Sequence, residues 1–235
     1  MSVPAQPQRF ASPEWSLQSL GRSVPRSLRH ARDLTTARRI VATAEEIFAE
    51  EGLAGARMDE IARAARVNKA LLYYYFTSKE ELYRFVLETL LSQLRERVGV
   101  PGAGALSPGK RLAAVIDNFF DFVQRHPNYP RLIQREMMSP GPHVEWIVSE
   151  YYRPLHNQLV GLIEEGISAG EFRRVDTRNT ALTVTSVMVF YFSAAPVLSR
   201  ILGHDPLQPR EVAKRRKAVH DFLEHGLYQP GAGMR

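Results

Sequence analysis

The chain has 235 residues, a formal net charge of +6 and no cysteine. Without cysteine it has no disulfide, no thiolate metal site and no cysteine nucleophile. Its length is enough for one large or two small domains with a buried core. The moderate basic excess suits an anionic partner such as nucleic acid, although this signal is weak by itself.

Residues 1–34 differ in composition from the rest of the chain. They contain five arginines against two acidic residues, with four prolines and many serines, and they lack the apolar run of a secretory signal. We predict a disordered basic tail. Two alternatives remain open, an arm that lies along DNA phosphates and an organellar transit peptide.

From Thr36 onward the chain reads as successive helices, because no stretch alternates apolar and polar residues with a period of two. The first predicted helix covers about residues 37–51, with Thr35 or Thr36 as its cap and Gly52 as its end. A short second helix covers about residues 58–65.

The third predicted helix starts at Asn68, a favourable N-cap residue, and is about two turns long. Ser78 and Glu81 form a predicted capping box that starts a fourth helix, which runs to about Val98. Two short helices joined by a tight turn are typical of a helix-turn-helix, whose second helix lies in the major groove of DNA.

Four consecutive aromatic residues, Tyr73 to Phe76, end the third predicted helix. In this docking Tyr73 and Tyr75 donate hydrogen bonds to phosphates, Lys79 adds a cation, Phe76 fills the core and Tyr74 packs between helices. The N-terminal face of the same helix meets base edges. The predicted DNA contacts are Arg57, Met58, Lys69, Ala70, Leu71, Tyr73, Tyr75 and Lys79.

Four short motifs stand out within residues 38–87. They are Ala44-x-x-x-Phe48-x-x-x-Gly52, then Met58 with Ile61 and Ala62, then Leu72 to Phe76, then Ser78-Lys79-Glu80. Together they resemble the DNA-binding domain of the TetR family of transcriptional regulators. The resemblance implies an all-α homodimer in which the first four helices bind DNA, and the later helices bind a small effector and dimerise. The family's phosphate contacts fall on Tyr73, Tyr75 and Lys79, and its base contacts fall on Lys69 and Leu71.

The chain departs from the family pattern at three places. Arg66 stands where glycine is usual, so we expect it to adopt a demanding turn conformation. Arg57 stands where serine or threonine is frequent, which weakens the capping of the second helix. Ala70-Leu71 replaces a frequent Gly-Thr pair, so the preferred base sequence does not carry over.

The remainder reads as a second helical unit. After a loop at about residues 99–109 come a fifth helix and a short sixth helix that ends near Met138. A seventh helix covers about residues 144–169 with a kink at Pro154.

The last two predicted helices are the eighth, from Asp176 or Thr177 to Gly203, and the ninth, from Glu211 to Tyr228. Residues 180–199 carry no charge and are long enough to span a bilayer. Burial at a subunit interface explains the same composition, and we predict a homodimer through these two helices and no membrane association.

The predicted fold is therefore all-α, with about nine helices. A basic tail (1–34) precedes a helix-turn-helix DNA-binding domain with three helices (35–82) and an effector-binding and dimerisation domain (83–235). The predicted effector is hydrophobic or aromatic, with His156 as a polar contact. The candidate effector residues are Phe119, Phe122, Met137, Met138, Trp146, Tyr152, His156 and Met188.

Two common enzyme motifs are absent. The sequence has no H-E-x-x-H pattern and no P-loop, and we predict no catalytic residue, cofactor or metal. The expected protein is a cytoplasmic, ligand-responsive repressor that binds a palindromic operator on double-stranded DNA as a homodimer and is released by a small, largely apolar molecule. The alternative is an architectural or membrane-anchored DNA-binding regulator without a small-molecule effector.

Overall fold

The structure, a computed structural model, describes residues 34–100, 102, 106–138 and 141–229. Apart from Leu34, the predicted basic tail lies outside these residues. Within the described part of the chain the regular secondary structure is helical, and the one other pairing is an isolated antiparallel bridge between Phe172 and Tyr228. The prediction of an all-α fold is confirmed.

Ten helices follow one another in the described residues, one more than predicted. They are α1 (Thr35–Gly55), α2 (Met58–Ala64), α3 (Lys69–Tyr75), α4 (Lys79–Val98), α5 (Pro108–Arg125), α6 (Tyr129–Met138), α7 (Val144–Ile147, a π-helical turn at Val148–Tyr152, and Arg153–Ser168), α8 (Thr177–Ser193), α9 (Ala195–Leu202) and α10 (Pro209–Leu227).

The chain divides into two compact units between Thr89 and Leu90. This division lies within α4, which therefore contributes residues to both units. The domain boundary predicted after residue 82 lies in the same helix.

The first unit has an aromatic core to which α1 and α4 contribute. Phe48 of α1 meets Tyr83 of α4 edge to face, with ring centroids 4.9 Å apart, and Phe76 lies 5.4 Å from Phe85. All four rings are buried, and such contacts add to the free energy gained by removing the rings from water. Ile40, Ala44 and Phe48 on the same side of α1 are buried, and Ile47 is half-exposed.

The two ends of α1 differ in how well they were predicted. The helix begins directly after Leu34, so Thr35 and Thr36 lie inside its first turn and the prediction that one of them is the cap is wrong. Gly52 has a φ of 72°, which favours glycine, and it interrupts the helical dihedrals as predicted. The last turn, to Gly55, follows this kink.

Helix α7 is irregular where a kink was predicted. Pro154 has no N–H group, and its ring crowds the carbonyl of Glu150, four residues earlier. The π-helical turn at Val148–Tyr152 contains Glu150 and ends two residues before the proline. A wider turn of this kind accommodates the missing hydrogen bond.

The prediction of a single eighth helix is wrong, because two helices, α8 and α9, occupy this part of the chain. The chain bends by 72° between α8 and α9, at Ala194, whose backbone leaves helical values with φ −88° and ψ 5°. Pro196 explains the break, because it cannot donate to the carbonyl of Phe192 and its ring clashes with that group. Among the described helices none is by itself long and apolar enough to cross a bilayer, and α8 and α9 reach that length only as this bent pair.

The second unit is held together by aromatic and polar contacts of α5. Phe192 of α8 lies 5.4 Å from Phe120 and 6.0 Å from Phe119, measured between ring centroids. On another side of α5, Asp117 lies 2.9 Å from Nε2 of His220 in α10. These contacts connect α5 to both α8 and α10.

The end of α7 packs closely against the segment that follows it. A Cβ atom added to Gly166 would lie 2.1 Å from Cδ2 of Phe172, so only glycine fits there. The Phe172 ring in turn lies 4.9 Å from the ring of Tyr228, whose hydroxyl donates to the carbonyl of Gly109 at the start of α5.

Candidate DNA interface

The turn between α2 and α3 sets the direction of the predicted recognition helix. Arg66 has a φ of 53°, as expected from its place in a position usually held by glycine. The N–H of Arg66 donates to the carbonyl of Arg63, and the N–H of Val67 donates to that of Ala62, 2.9 Å away. This is the hydrogen-bond pattern of a Schellman motif, which requires a left-handed residue after the helix.

Two further hydrogen bonds stabilise this turn and the start of α3. Nε of Arg39 in α1 donates to the carbonyl of Ala65, over 2.8 Å. The side chain of Asn68 accepts from the N–H of Leu71, over 2.7 Å, which confirms the predicted N-cap. By contrast, Arg57 precedes α2 without a side-chain capping hydrogen bond, as its residue type predicted.

The run of aromatic residues divides between two faces of α3. Phe76 is fully buried and Tyr75 is 9% exposed, whereas Tyr73 is 41% and Tyr74 62% exposed. The prediction that Tyr74 packs between helices is wrong. Because successive helical residues are about 100° apart, Leu72, Tyr75 and Phe76 share the buried face, and Tyr73 and Tyr74 point away from it.

The ammonium of Lys79 lies against the chain that enters α2. Its Nζ donates to the carbonyl of Ala56 over 3.0 Å and to that of Ala54 over 3.4 Å. An ammonium has three N–H groups, so these two contacts leave a third for an anion. The predicted phosphate-binding cation is thus held at the edge of the helix-turn-helix.

The start of α4 has the predicted cap in a modified form. Ser78 Oγ accepts from the N–H of Glu81 over 3.0 Å, as in a capping box. The carboxylate of Glu81, however, accepts from the N–H and the hydroxyl of Thr77, at 2.6 and 2.8 Å. In a regular capping box it would accept from the N–H of the next residue, Ser78.

A concave surface beside α3 encloses a volume of about 510 Å³. Five of the eight predicted DNA contacts line it, while Ala70, Leu71 and Tyr75 do not. Its lining residues are Ala56, Arg57, Met58, Asp59, Lys69, Tyr73, Thr77, Ser78, Lys79 and Glu80. The exposed Ala70 and half-exposed Leu71 lie on the first turn of α3, next to Lys69.

One residue of this surface was missed as a possible contributor to binding. Asp59, in the first turn of α2, lies 2.7 Å from Nζ of Lys69. The hydrogen bond with Asp59 and the charge of its carboxylate raise the pKa of Lys69. The sequence shows Asp59 only as an acidic residue that suits the start of a helix, because the pairing depends on the angle between α2 and α3.

The candidate effector residues occupy different environments in the second unit. Phe119, Phe122 and Met188 are buried, whereas Met137 and Met138, at the end of α6, are exposed. The remaining three, Trp146, Tyr152 and His156, are partly buried and belong to α7.

Two of these residues belong to an uncharged aromatic cluster formed by Phe122, His126, Tyr129 and Tyr152. The hydroxyls of Tyr129 and Tyr152 are 3.1 Å apart, and the Phe122 ring lies 4.6 Å from that of His126. Burial raises the pKa of Tyr129 to about 12 and also raises that of Tyr152.

Burial, together with the charges of Arg97 and Arg125, lowers the pKa of His126 to about 4. The imidazole and both phenols are therefore neutral at pH 7. The sequence did not indicate His126 or Tyr129 as candidates, because the cluster joins α5, α6 and α7.

Two family models match the chain. Residues 40–86 match the bacterial regulatory proteins of the tetR family. Residues 108–223 match the tetracyclin repressor-like C-terminal domain. The first match lies within the first compact unit and the second lies within the other.

Individual proteins agree with these matches. The HTH-type transcriptional repressor NicS of Pseudomonas putida is 26% identical over 193 residues, which are 80% of this chain and 90% of that protein. The HTH-type transcriptional repressor SCO4008 of Streptomyces coelicolor is 35% identical over 159 residues, which are 63% of this chain and 79% of that protein.

Among solved structures, the ketosteroid transcriptional regulator KstR2 of Mycobacterium tuberculosis superimposes on this chain with a TM-score of 0.68. The superposition covers 82% of this chain and 95% of the KstR2 chain, at 21% sequence identity. At that identity the likeness concerns the fold. With a helix-turn-helix that carries the family's motifs, a model match in each unit and a relative 35% identical over most of its length, the chain belongs to the TetR family of transcriptional regulators and is not an enzyme.

Proposed function

We propose that the protein is a ligand-responsive repressor that binds a palindromic DNA operator as a homodimer. The observation that carries the proposal is the exposed start of α3, with the Tyr73 hydroxyl and the Lys79 ammonium beside it on one concave surface. Related proteins named as repressors, NicS and SCO4008, support the direction of regulation.

In this proposal the residues of the surface have two kinds of role. Lys69, Ala70 and Leu71, in the first turn of α3, contact base edges in the major groove. Tyr73 and Lys79 bind phosphates, which position the helix without reading the sequence. Arg57, Met58 and the hydroxyl of the mostly buried Tyr75 complete the contacts at the edge of the groove.

The geometry of DNA and the surface of the second unit both support a homodimer. One helix-turn-helix reads one half-site, and two recognition helices must be about 34–36 Å apart to enter successive major grooves. Leu182 and Phe190 on α8 and Phe222 on α10 are each more than half exposed. Large apolar side chains of this kind mark association surfaces, which supports the pairing of α8 and α10 with a second copy.

The proposed effector is a small, largely apolar molecule that binds in the second unit. The aromatic cluster of Phe122, His126, Tyr129 and Tyr152 supports a largely apolar ligand, because removal of apolar surface from water favours binding. Helix α4 has residues in both units and is the proposed coupling element. A ligand shifts such an equilibrium only by its differential affinity for the two states, and couplings of about 1–3 kcal/mol are usual.

The test of DNA binding starts with selection from a random duplex library by the full-length protein. We expect a palindrome to be enriched. Lys79→Gln should then weaken binding to every duplex and reduce the magnitude of the salt slope by about 0.9, because glutamine keeps a donor for the carbonyls of Ala54 and Ala56 but has no charge. Lys110→Gln, at an exposed position of α5, is the matched control.

Tyr73→Phe should cost about 1 kcal/mol on selected and scrambled duplexes alike, because it removes one hydrogen bond to phosphate. If no sequence is enriched, or if Lys79→Gln behaves like Lys110→Gln, the proposed docking is wrong.

The test of the effector is a screen of uncharged aromatic and hydrophobic compounds for loss of binding to the selected duplex. Active compounds are then repeated with Phe119→Ala and Trp146→Ala, and with Lys110→Gln as a control. We expect at least one of the first two variants to need more compound for the same release. If DNA binding is established but no compound releases it, the alternative of an architectural regulator is favoured over ligand control.

A further inference from the structure

The first turn of α3 combines a cation with the positive end of a helix. The turn reads Lys69-Ala70-Leu71-Leu72 and contains no acidic residue. A lysine at this end of a helix is unfavourable, because the exposed N–H groups already carry partial positive charge. An acidic partner from another helix offsets both charges, and Asp59 of α2 provides it at 2.7 Å.

Both side chains of the ion pair are exposed to solvent. The side chains of Lys69 and Asp59 keep 59% and 70% of their surface accessible, and pairs of this kind contribute little to folding. Its position is more informative, because both residues line the same concave surface as Tyr73 and Lys79. A carboxylate on a surface that approaches DNA repels phosphates within a Debye length of about 8–10 Å.

The Asp59 carboxylate has different effects on two possible DNA partners of Lys69, a phosphate and a base. A phosphate oxygen is anionic and would be repelled by Asp59 if it approached the same ammonium. Guanine O6 and N7 are neutral acceptors, so an ammonium with three N–H groups can bind them while it stays paired with Asp59. The pair therefore permits a base contact and disfavours a phosphate contact.

We propose that Asp59 is a specificity-determining residue of the DNA interface, which keeps Lys69 from binding phosphates and reserves it for neutral acceptors on a base edge. The inference rests on the proposed DNA binding. In this arrangement Asp59 lowers the affinity for arbitrary DNA, and it sharpens the preference at the base pair that Lys69 contacts.

The experiment compares wild type, Asp59→Asn and Glu60→Gln on the duplex selected by the wild type and on a scrambled duplex of equal length. Asparagine keeps the shape of Asp59 and removes its charge. Glu60 is the matched control, because it carries the same charge in the same turn of α2 but points about 100° away. Fluorescence anisotropy over a range of salt concentrations gives both affinities and both slopes.

For Asp59→Asn we expect tighter binding to scrambled DNA with a salt slope steeper by about 0.9, which is one additional phosphate contact. When the salt concentration is lowered from about 200 to about 50 mM, the affinity of the variant for scrambled DNA should therefore rise about 3-fold more than that of the wild type. The ratio of selected to scrambled affinity should fall, and repeated selection should show a relaxed preference at one position of each half-site.

A double-mutant cycle with Lys69→Gln tests whether Asp59 acts through Lys69. In the Lys69→Gln background, Asp59→Asn should no longer steepen the slope or lower the ratio. The inference is overturned if Glu60→Gln has the same effect as Asp59→Asn, if the effect persists without Lys69, or if the ratio is unchanged. Failure of the wild type to enrich any sequence would instead refute the DNA binding on which the inference rests.

Discussion

Replacement of Arg66 by glycine should stabilise the protein. Arg66 has a φ of 53°, and a residue with a Cβ atom pays about 1–2 kcal/mol for left-handed backbone. Glycine avoids this cost but loses more chain entropy on folding, which offsets about 0.5–1 kcal/mol. The expected net gain is about 0.5–1 kcal/mol, because the hydrogen bonds of the Schellman motif involve only main-chain atoms.

A gain of this size corresponds to a rise of about 1–4 °C in the thermal midpoint for a chain of this length. Circular dichroism at one fixed protein concentration measures it. Arg66→Ala separates the backbone from the side chain, since alanine keeps the Cβ atom and should stay close to wild type. Ala64→Gly, in the last turn of α2, should instead cost up to about 1 kcal/mol. If Arg66→Gly were no more stable than Arg66→Ala, the backbone would not be the source of the strain.

Three further changes test other parts of the structure. Gly166→Ala should cost about 1–3 kcal/mol in a urea titration, because its Cβ would overlap the Phe172 ring, and a midpoint equal to wild type would refute that packing. His126 has a folded pKa of about 4 against 6.5 in the unfolded chain, so the unfolded state binds more protons between these values. Stability from this group is present above pH 6.5 and is lost as pH falls toward 4, by up to about 3 kcal/mol; His126→Phe should flatten this loss, and an unchanged pH profile would contradict it. Phe190→Asp should shift the protein toward monomer in light scattering, whereas Gln134→Asp on α6 should not, and a dimer unaffected by both would place the interface elsewhere.

The features that were predictable from the sequence are those set by neighbouring residues. The N-cap at Asn68 depends on a hydrogen bond to Leu71, three residues away. The left-handed conformation of Arg66 follows from its position in a short motif. The interruption at Gly52 likewise needs only the local chain.

The errors arose where a small difference in angle or a distant partner decides the outcome. One residue changes the direction of a helical side chain by about 100°, so Tyr74 is exposed on α3 although we expected it to pack between helices. The ion pair of Asp59 with Lys69 and the contact of Tyr129 with Tyr152 each join separate helices. Composition alone could not give the angles between those helices.

The position of Trp146 has a consequence for spectroscopy. The chain has two tryptophans, and the other, Trp15, lies outside the described residues. The Trp146 indole meets the Tyr151 ring edge to face at 5.5 Å, and that ring also carries the guanidinium of Arg95 from α4 at 5.2 Å. In a Trp15→Phe variant, indole emission would come from Trp146 alone, and its wavelength and lifetime would report, without any attached dye, whether a compound added to the solution disturbs the junction of α7 with α4.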